Sequence, residues 1–239
     1  MEILAILGRG IQKLRESDPN SEVSSWHLTE DLEICTDLGA HLAVRVPVDD
    51  THPNCLVGGG QMNLEAGKVL ILQHAPQIVV YAFGNRSAYL KEAHAPSESE
   101  VTTEALHMSL SNNQMIREPE MVIWHRTHST DFTSNTRQEI LNIFDLAIER
   151  ELTRIGFVTI GVHIPRTATF MAKHISTNLK YQHLSPVMFE SEEVLLCSSK
   201  KWKPRVDALR NSHAFRRNLA NEFKGISAVF AGKYNTVNK

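Results

Sequence analysis

The stretch Ile3-Leu4-Ala5-Ile6-Leu7-Gly8-Arg9-Gly10-Ile11 begins with five successive apolar residues and breaks into glycine, arginine, glycine. A short continuous apolar run bounded by turn residues fits a strand buried on both faces of a parallel sheet, whereas a half-solvated strand would alternate. Three more runs read the same way: Ile78-Val79-Val80-Tyr81, Met121-Val122-Ile123-Trp124 and Phe157-Val158-Thr159-Ile160. Shorter strand candidates are Asn54 to Val57 and Val187 to Phe189.

Helical spacing fills the intervals. A helix is expected at Asn63 to His74. Ile140, Leu141, Phe144, Ala147, Ile148 and Leu152 repeat on one face, as do Ala168, Met171, Ala172, Ile175 and Leu179. Phe215, Leu219, Phe223, Ile226 and Phe230 mark a last amphipathic helix. Trp26, Thr29, Glu30 and Asp31 read as another helix start, with Thr29 as its N-cap and the acids in the first turn. Strand–helix alternation implies right-handed crossovers. The fold expected is a Rossmann-like three-layer α/β sandwich, a mainly parallel sheet with helices on both faces. It forms one domain over 1–239 with a helical C-terminal extension from about 200.

The chain has 239 residues, 42% hydrophobic and 22% charged, which suits a globular protein with a sizeable core. A net charge of -2 argues against a nucleic-acid binder working by bulk electrostatics. Cys35, Cys55 and Cys197 are widely separated and form no zinc-type pair, so free thiols in a reducing compartment are expected. Met1 to Leu7 is too short for a signal core, and no apolar run reaches the roughly 20 residues that span a bilayer. A cytoplasmic protein with no membrane partner is therefore expected.

Polar groups gather after the strand candidates, and open α/β sheets bind ligands at that carboxyl edge. Gly8-Arg9-Gly10 allows close backbone approach and offers a guanidinium to a phosphate or carboxylate, although no third glycine completes a dinucleotide fingerprint. Gly58-Gly59-Gly60 precedes a helix and would aim N–H groups at an anion, without the lysine of a P-loop. For both, the plain alternative is a turn chosen for sterics. Gly84-Asn85-Arg86 follows the Tyr81 strand. Ser97 and Glu100 have capping-box spacing; Glu98 is not needed by the cap, and either acid could project into a cleft. Thr130, Asn135 and Thr136 belong to a polar connection, in which Thr136 and Glu139 are spaced as a capping box and Asn135 is a rival cap. His125 and His128, with His163, are the only metal reading, and it lacks an acidic or cysteine partner at convincing spacing. His163 is the best general acid/base candidate, and Arg166, one turn on, suits a phosphate or carboxylate.

Together these pieces resemble the YdcF-like domain, related to the SanA and ElyC envelope proteins. The resemblance rests on the strand into Ile6-Leu7-Gly8-Arg9-Gly10-Ile11, the strand into Gly84, the acidic helix start Ser97 to Glu100, the Ser129-Thr130 to Ser134-Asn135-Thr136 segment, and the strand into His163-x-x-Arg166. It covers Ile3 to about Thr177. It implies a Rossmann-like fold, a cleft lined by Gly8, Gly10, Gly84, Glu100, Asn135, Thr136, His163 and Arg166, and a nucleotide-like ligand such as S-adenosylmethionine. Two features depart from the family: many relatives have a membrane anchor, which is not expected here, and this chain has a long Glu16 to His52 region and the Gly58 to Gly60 loop.

The expected function is an enzyme acting on a phosphorylated or nucleotide-like small molecule by hydrolysis or group transfer. His163 would move a proton and Glu100 would orient a hydroxyl or water. Gly8, Arg9, Gly10, Gly58, Gly59, Gly60, Gly84, Arg86, Thr130, Asn135, Thr136 and Arg166 would bind the anionic ligand. The alternatives are a non-catalytic module for a nucleotide or S-adenosylmethionine and, more weakly, a metal-dependent hydrolase. No nucleophile is evident: there is no Gly-x-Ser-x-Gly elbow, and no cysteine sits beside a histidine. The basic C-terminal region reads as a solvated helical face, with a lid or dimer contact as the other option.

Overall fold

A computed structural model describes residues 1–14, 25–34, 42–43, 49–53, 55–81, 95–110, 119–123 and 135–232. Its centre is a five-stranded, all-parallel sheet of β1 (Ile3–Ile6), β7 (Ile78–Tyr81), β8 (Glu120–Ile123), β9 (Arg154–Thr159) and β10 (Ser185–Glu190), in the order β10-β9-β1-β7-β8. The continuous apolar runs are thus the strands of a sheet covered on both faces, and β1 is fully buried along its length.

Alternate residues of each strand enter separate cores. Leu4, Ile6, Val79, Tyr81 and Val158 pack with α1 (Gly60–His74), α2 (Glu98–Leu110) and α5 (Ser191–Ser198), through Met62, Leu70, Ile71, Leu106 and Leu195. Ile3, Ala5, Leu7, Val80, Ile155 and Phe157 pack with α3 (Thr136–Glu149) and α4 (Ile164–Thr177), through Ile140, Ile143, Phe144, Phe170 and Met171. The expected three-layer α/β sandwich is the observed one. Two more helices, α6 (Lys203–Asn211) and α7 (His213–Phe230), follow. Among the described residues no helix is long and apolar enough to cross a membrane.

The strand order puts a topological switch beside β1. The chain leaves β1 towards β7 and α1 on one face, and leaves β9, on the other side of β1, into α4 on the opposite face. Loops that part in this way open a crevice above the carboxyl ends of β1 and β9, where ligands of open α/β sheets bind.

Two expectations are corrected. Trp26 to Leu28 is not a helix start: Ser25–Leu28 forms strand β3, antiparallel to β2 (Ile11–Leu14), which also pairs in parallel with β5 (Leu42–Ala43), and Leu32–Ile34 forms β4, antiparallel to β6 (Cys55–Val57). Thr29 nonetheless caps a helix through space, because its Oγ1 accepts from Gly60 N, the first residue of α1, at 2.9 Å. The last helix is also phased differently. Its buried positions are Ala214, Glu222 and Val229, while Phe223 and Phe230 face outward, 53% and 77% exposed.

The Gly58 to Gly60 loop is closed upon this clamp. Gly58 N donates to Asp31 O, Gly59 N to Glu30 O and Gln61 N to Thr29 O. Gly59 has φ +90°, and a Cβ there would lie 2.5 Å from Ile160 Cγ2. Both facts exclude a side chain: the left-handed backbone costs L-residues roughly 1–2 kcal/mol and overpacking roughly 1–3. Gly59→Ala is therefore expected to lower unfolding stability by about 2–5 kcal/mol, read as a shift of the urea midpoint at unchanged m-value.

Candidate functional site

Beyond the apolar run of β1, three successive backbone N–H groups donate to side chains rather than to a neighbouring strand. They are taken by two glutamates. Gly8 N donates to Glu139 Oε1 at 2.9 Å. Arg9 N and Gly10 N both donate to Glu98 Oε1, at 2.5 and 2.7 Å. The positive φ of Gly10, +98°, then turns the chain into β2. Glu98 stands in the first turn of α2 and Glu139 in the first turn of α3. Helices from opposite faces of the sheet therefore converge on one turn.

Both carboxyls are buried, and their second oxygens, Glu98 Oε2 and Glu139 Oε2, have no hydrogen-bond partner among the described residues. Burial is the dominant influence on each. It pushes Glu98 up to about 7, against the pull of the Gly10 and Arg9 amides and the Arg9 charge. It pushes Glu139 well above the carboxylate range, and the nearby Glu98 adds to that rise. Tyr81 Oη is likewise buried with no hydrogen-bond partner among the described residues, and Tyr81, Glu98 and Gly8 line a void of about 10 Å³, the size of one water.

Arg9 crosses from β1 to the glycine loop, its Nε donating to Gly58 O at 2.8 Å and its Nη2 to Val57 O at 2.9 Å. Below the turn, Asn63 Nδ2 donates to Leu7 O and Ser191 Oγ to Asn63 Oδ1, both at 2.8 Å. This pins the end of β1 to α1 and α5.

Across the crevice, β9 runs into a 3₁₀ turn, Gly161–His163, and then α4, whose Pro165 suits a first helical turn. That turn buries His163, whose Nε2 lies 3.3 Å from Thr136 Oγ1 and whose Nδ1 lies 3.5 Å from Glu222 Oε1. Arg166 Nη2 is 3.3 Å from the same Nδ1, and Arg166 Nε is 2.9 Å from Glu222 Oε2. Burial lowers His163 to about 4 despite the Glu222 hydrogen bond, with Arg9 and Arg166 adding to the drop. Burial alone would raise Glu222, but the His163 hydrogen bond and the Arg166 guanidinium hold it below its usual range. At neutral pH the imidazole is uncharged and Glu222 ionised. A comparable arrangement closes the end of β9, where Gly161 N donates to both oxygens of Glu192, whose buried carboxyl is raised to about 7.

The structure thus gathers Gly8, Arg9, Gly10, Thr136, His163 and Arg166 of the expected site at one sheet edge. Asn135 caps α3, its side chain accepting from Gln138 N at 3.1 Å. Glu100 closes the capping box instead: its Oε2 accepts from Ser97 N at 2.9 Å, and Ser97 Oγ accepts from Glu100 N at 3.1 Å. Glu98, the other acid of that helix start, is the one that reaches the β1 turn. The amides of Gly58, Gly59 and Gly60 are satisfied by the 29–31 segment, so their geometry has a structural cause. Gly84, Arg86, Thr130, His125 and His128 lie outside the described residues. Among the described residues, no three His, Cys, Asp or Glu side chains are grouped to hold a metal ion.

Sequence reasoning gave no catalytic role to Glu139 or Glu222. Glu139 sat at a capping-box position that explained it away. Glu222 carried a usable signal, lying three residues after Leu219 and four before Ile226, on the stripe that faces the core. Comparison with family models, curated proteins and solved structures yields no match to this chain.

Glu98 has a pH signature. A carboxyl raised on folding binds its proton more tightly in the folded chain. Its contribution is complete below the unfolded value near 4.5 and is lost as pH rises through about 7. His163, lowered to about 4 from 6.5, acts oppositely and loses stability as pH falls through that interval. Glu98→Gln imitates the protonated acid. It should match wild type near pH 5 and exceed it in stability by pH 8.5, by up to about 3 kcal/mol at 1.36 kcal/mol per unit, in urea titrations at the two pH values.

Proposed function

We propose that this chain is an enzyme acting on a phosphorylated or nucleotide-like small molecule, by hydrolysis or group transfer, in the crevice between the ends of β1 and β9. One observation carries the reading. Buried titratable groups with strongly displaced affinities for protons, Glu98, Glu139 and His163, converge at the topological switch of a parallel sheet. Structural ion pairs rarely leave carboxylate oxygens orphaned, whereas catalytic sites tolerate such cost.

The charge distribution supports an anionic ligand reached by side chains. The Gly8 to Gly10 amides are already bonded to glutamates, and the Arg9 guanidinium is turned to carbonyls. Arg166, its side chain 22% exposed and its Nη2 3.3 Å from His163 Nδ1, sets a cation with open surface beside the imidazole. His163 is neutral at pH 7 and able to accept a proton, and Glu98 is protonated or poised to be.

A second reading, a module that holds a nucleotide or S-adenosylmethionine without turnover, draws on the unpaired oxygens of Glu98 and Glu139. Acidic acceptors at this edge bind ribose hydroxyls in dinucleotide folds. Both readings are tested by a thermal-shift screen of nucleotides, sugar phosphates and S-adenosylmethionine, repeated on Arg166→Ala. A ligand present at 100 times its Kd adds about 2.7 kcal/mol of apparent stability, a shift of several degrees. The expected hit is a phosphate-bearing compound whose shift vanishes in Arg166→Ala. A hit with S-adenosylmethionine alone favours the second reading, and no hit from any phosphate compound overturns the first.

A further inference from the structure

Thr136, His163 and Glu222 come from three distant parts of the chain and stand in line: hydroxyl to imidazole at 3.3 Å, imidazole to carboxylate at 3.5 Å. We infer that they form a nucleophile–base–acid relay in which Thr136 Oγ1 is the nucleophile, His163 its general base and Glu222 the positioning residue that orients the imidazole. This rests on the phosphate-ester reading above and supplies the nucleophile that the sequence did not reveal.

The relay does not depend on one contact. Thr136 is not needed to cap α3, because Asn135 does so through Gln138 N. Its hydroxyl is buried at the amino end of a 14-residue helix, where the helix dipole favours negative charge developing on Oγ1. His163 is uncharged at neutral pH, as a base must be, with burial the main cause. Glu222 divides its two oxygens, Oε1 towards His163 Nδ1 and Oε2 towards Arg166 Nε at 2.9 Å. With Nδ1–H donating to Glu222, Nε2 presents its lone pair to the threonine hydroxyl, the tautomer that makes the imidazole a base. Arg166 Nη2, 3.3 Å from Nδ1, is the competing donor, and it would favour the opposite tautomer. Separations of 3.3 and 3.5 Å are loose but usual for such groups without substrate.

The chemistry balances with water as the only co-reactant. Thr136 Oγ1 bonds to phosphorus as its proton passes to His163 Nε2. The bond from phosphorus to the leaving alcohol oxygen breaks, and that oxygen takes the proton from His163. Water then attacks the threonine phosphoester, gives its proton to His163, and the proton returns to Oγ1 as the P–O bond to threonine breaks.

Two measurements decide it. The first uses the unmodified protein: nitrogen-15 shifts of His163 at pH 7 are expected to show a neutral ring with the proton on Nδ1. A proton on Nε2 overturns the relay. The second uses a fluorophosphonate ester as the electrophile, with adducts mapped by peptide mass spectrometry. One adduct on Thr136 is expected, absent in the isosteric Thr136→Val, retained in Thr136→Ser, and slowed at least about 100-fold in His163→Gln, the lower range for general base catalysis. In Glu222→Gln the labelling should slow and the imidazole tautomer shift together. Labelling elsewhere, labelling indifferent to His163→Gln, or none in both wild type and Thr136→Ser overturns it. A Thr136 adduct alongside an empty ligand screen would keep the relay and discard the phosphorylated substrate.

Discussion

The structure depends on how the end of β1 disposes of three consecutive N–H groups. Buried amides without acceptors are rare because each orphan forfeits its hydrogen bonds to water. Here the acceptors are Glu139 for Gly8 and Glu98 for Arg9 and Gly10. These glutamates begin helices that lie on opposite faces of the sheet. One turn therefore joins both helical layers to the central strand, and the sandwich is tied together at the edge where its crevice opens. A glutamate satisfies the amides with one oxygen only. The remaining oxygens are buried and, among the described residues, unpaired, and that residual electrostatic tension makes the edge chemically unusual.

The tension inverts the ordinary order of proton affinities. In water a histidine holds its proton to a higher pH than a glutamate does. At this edge Glu98 rises to about 7 and His163 falls to about 4, each mainly because burial disfavours its charged form. Near neutrality the acids tend to hold protons and the imidazole does not. Groups pushed apart in this way take separate acid and base roles in enzymes. The guanidiniums act unequally on the inversion: Arg9 restrains the rise of Glu98 but deepens the fall of His163, and Arg166, engaged with Glu222, deepens that fall as well.

The sheet was legible because its signal is local. Runs such as Ile78 to Tyr81 are apolar on successive residues only when both faces are covered, so the strands, their parallel pairing and the edge bearing polar groups follow from the pattern. His163 and Arg166 were legible as residues just beyond a strand. Roles set by long-range contact were not. Thr29 shows the capping chemistry the sequence suggested, but it caps Gly60, 31 positions away. Glu100 and Glu98 differ by two residues and by nothing in composition; helix rotation sends one back to Ser97 and the other to the β1 turn. Glu222 was hidden by a phase error in α7, where Phe223 looked apolar enough to be inside and faces solvent instead.

That phase explains why the last helix belongs to the site. An 18-residue amphipathic helix normally buries an unbroken apolar stripe, yet α7 places a glutamate within its buried face. A lone carboxylate there would be strongly disfavoured. It is tolerated because Arg166 faces one oxygen and His163 the other, and because Gly225, whose Cβ would sit 3.3 Å from Arg166 Cδ, lets the helix approach closely. Neither partner explains the arrangement alone. An arginine would suffice to neutralise Glu222, but it would not require a neutral imidazole to be buried between that carboxylate and the threonine hydroxyl at the start of α3. Simple docking of α7 would be achieved more cheaply by an apolar residue at position 222. The polar contact is better understood as the reason the helix lies where it does: the chain's last long element completes an imidazole that its central strands present.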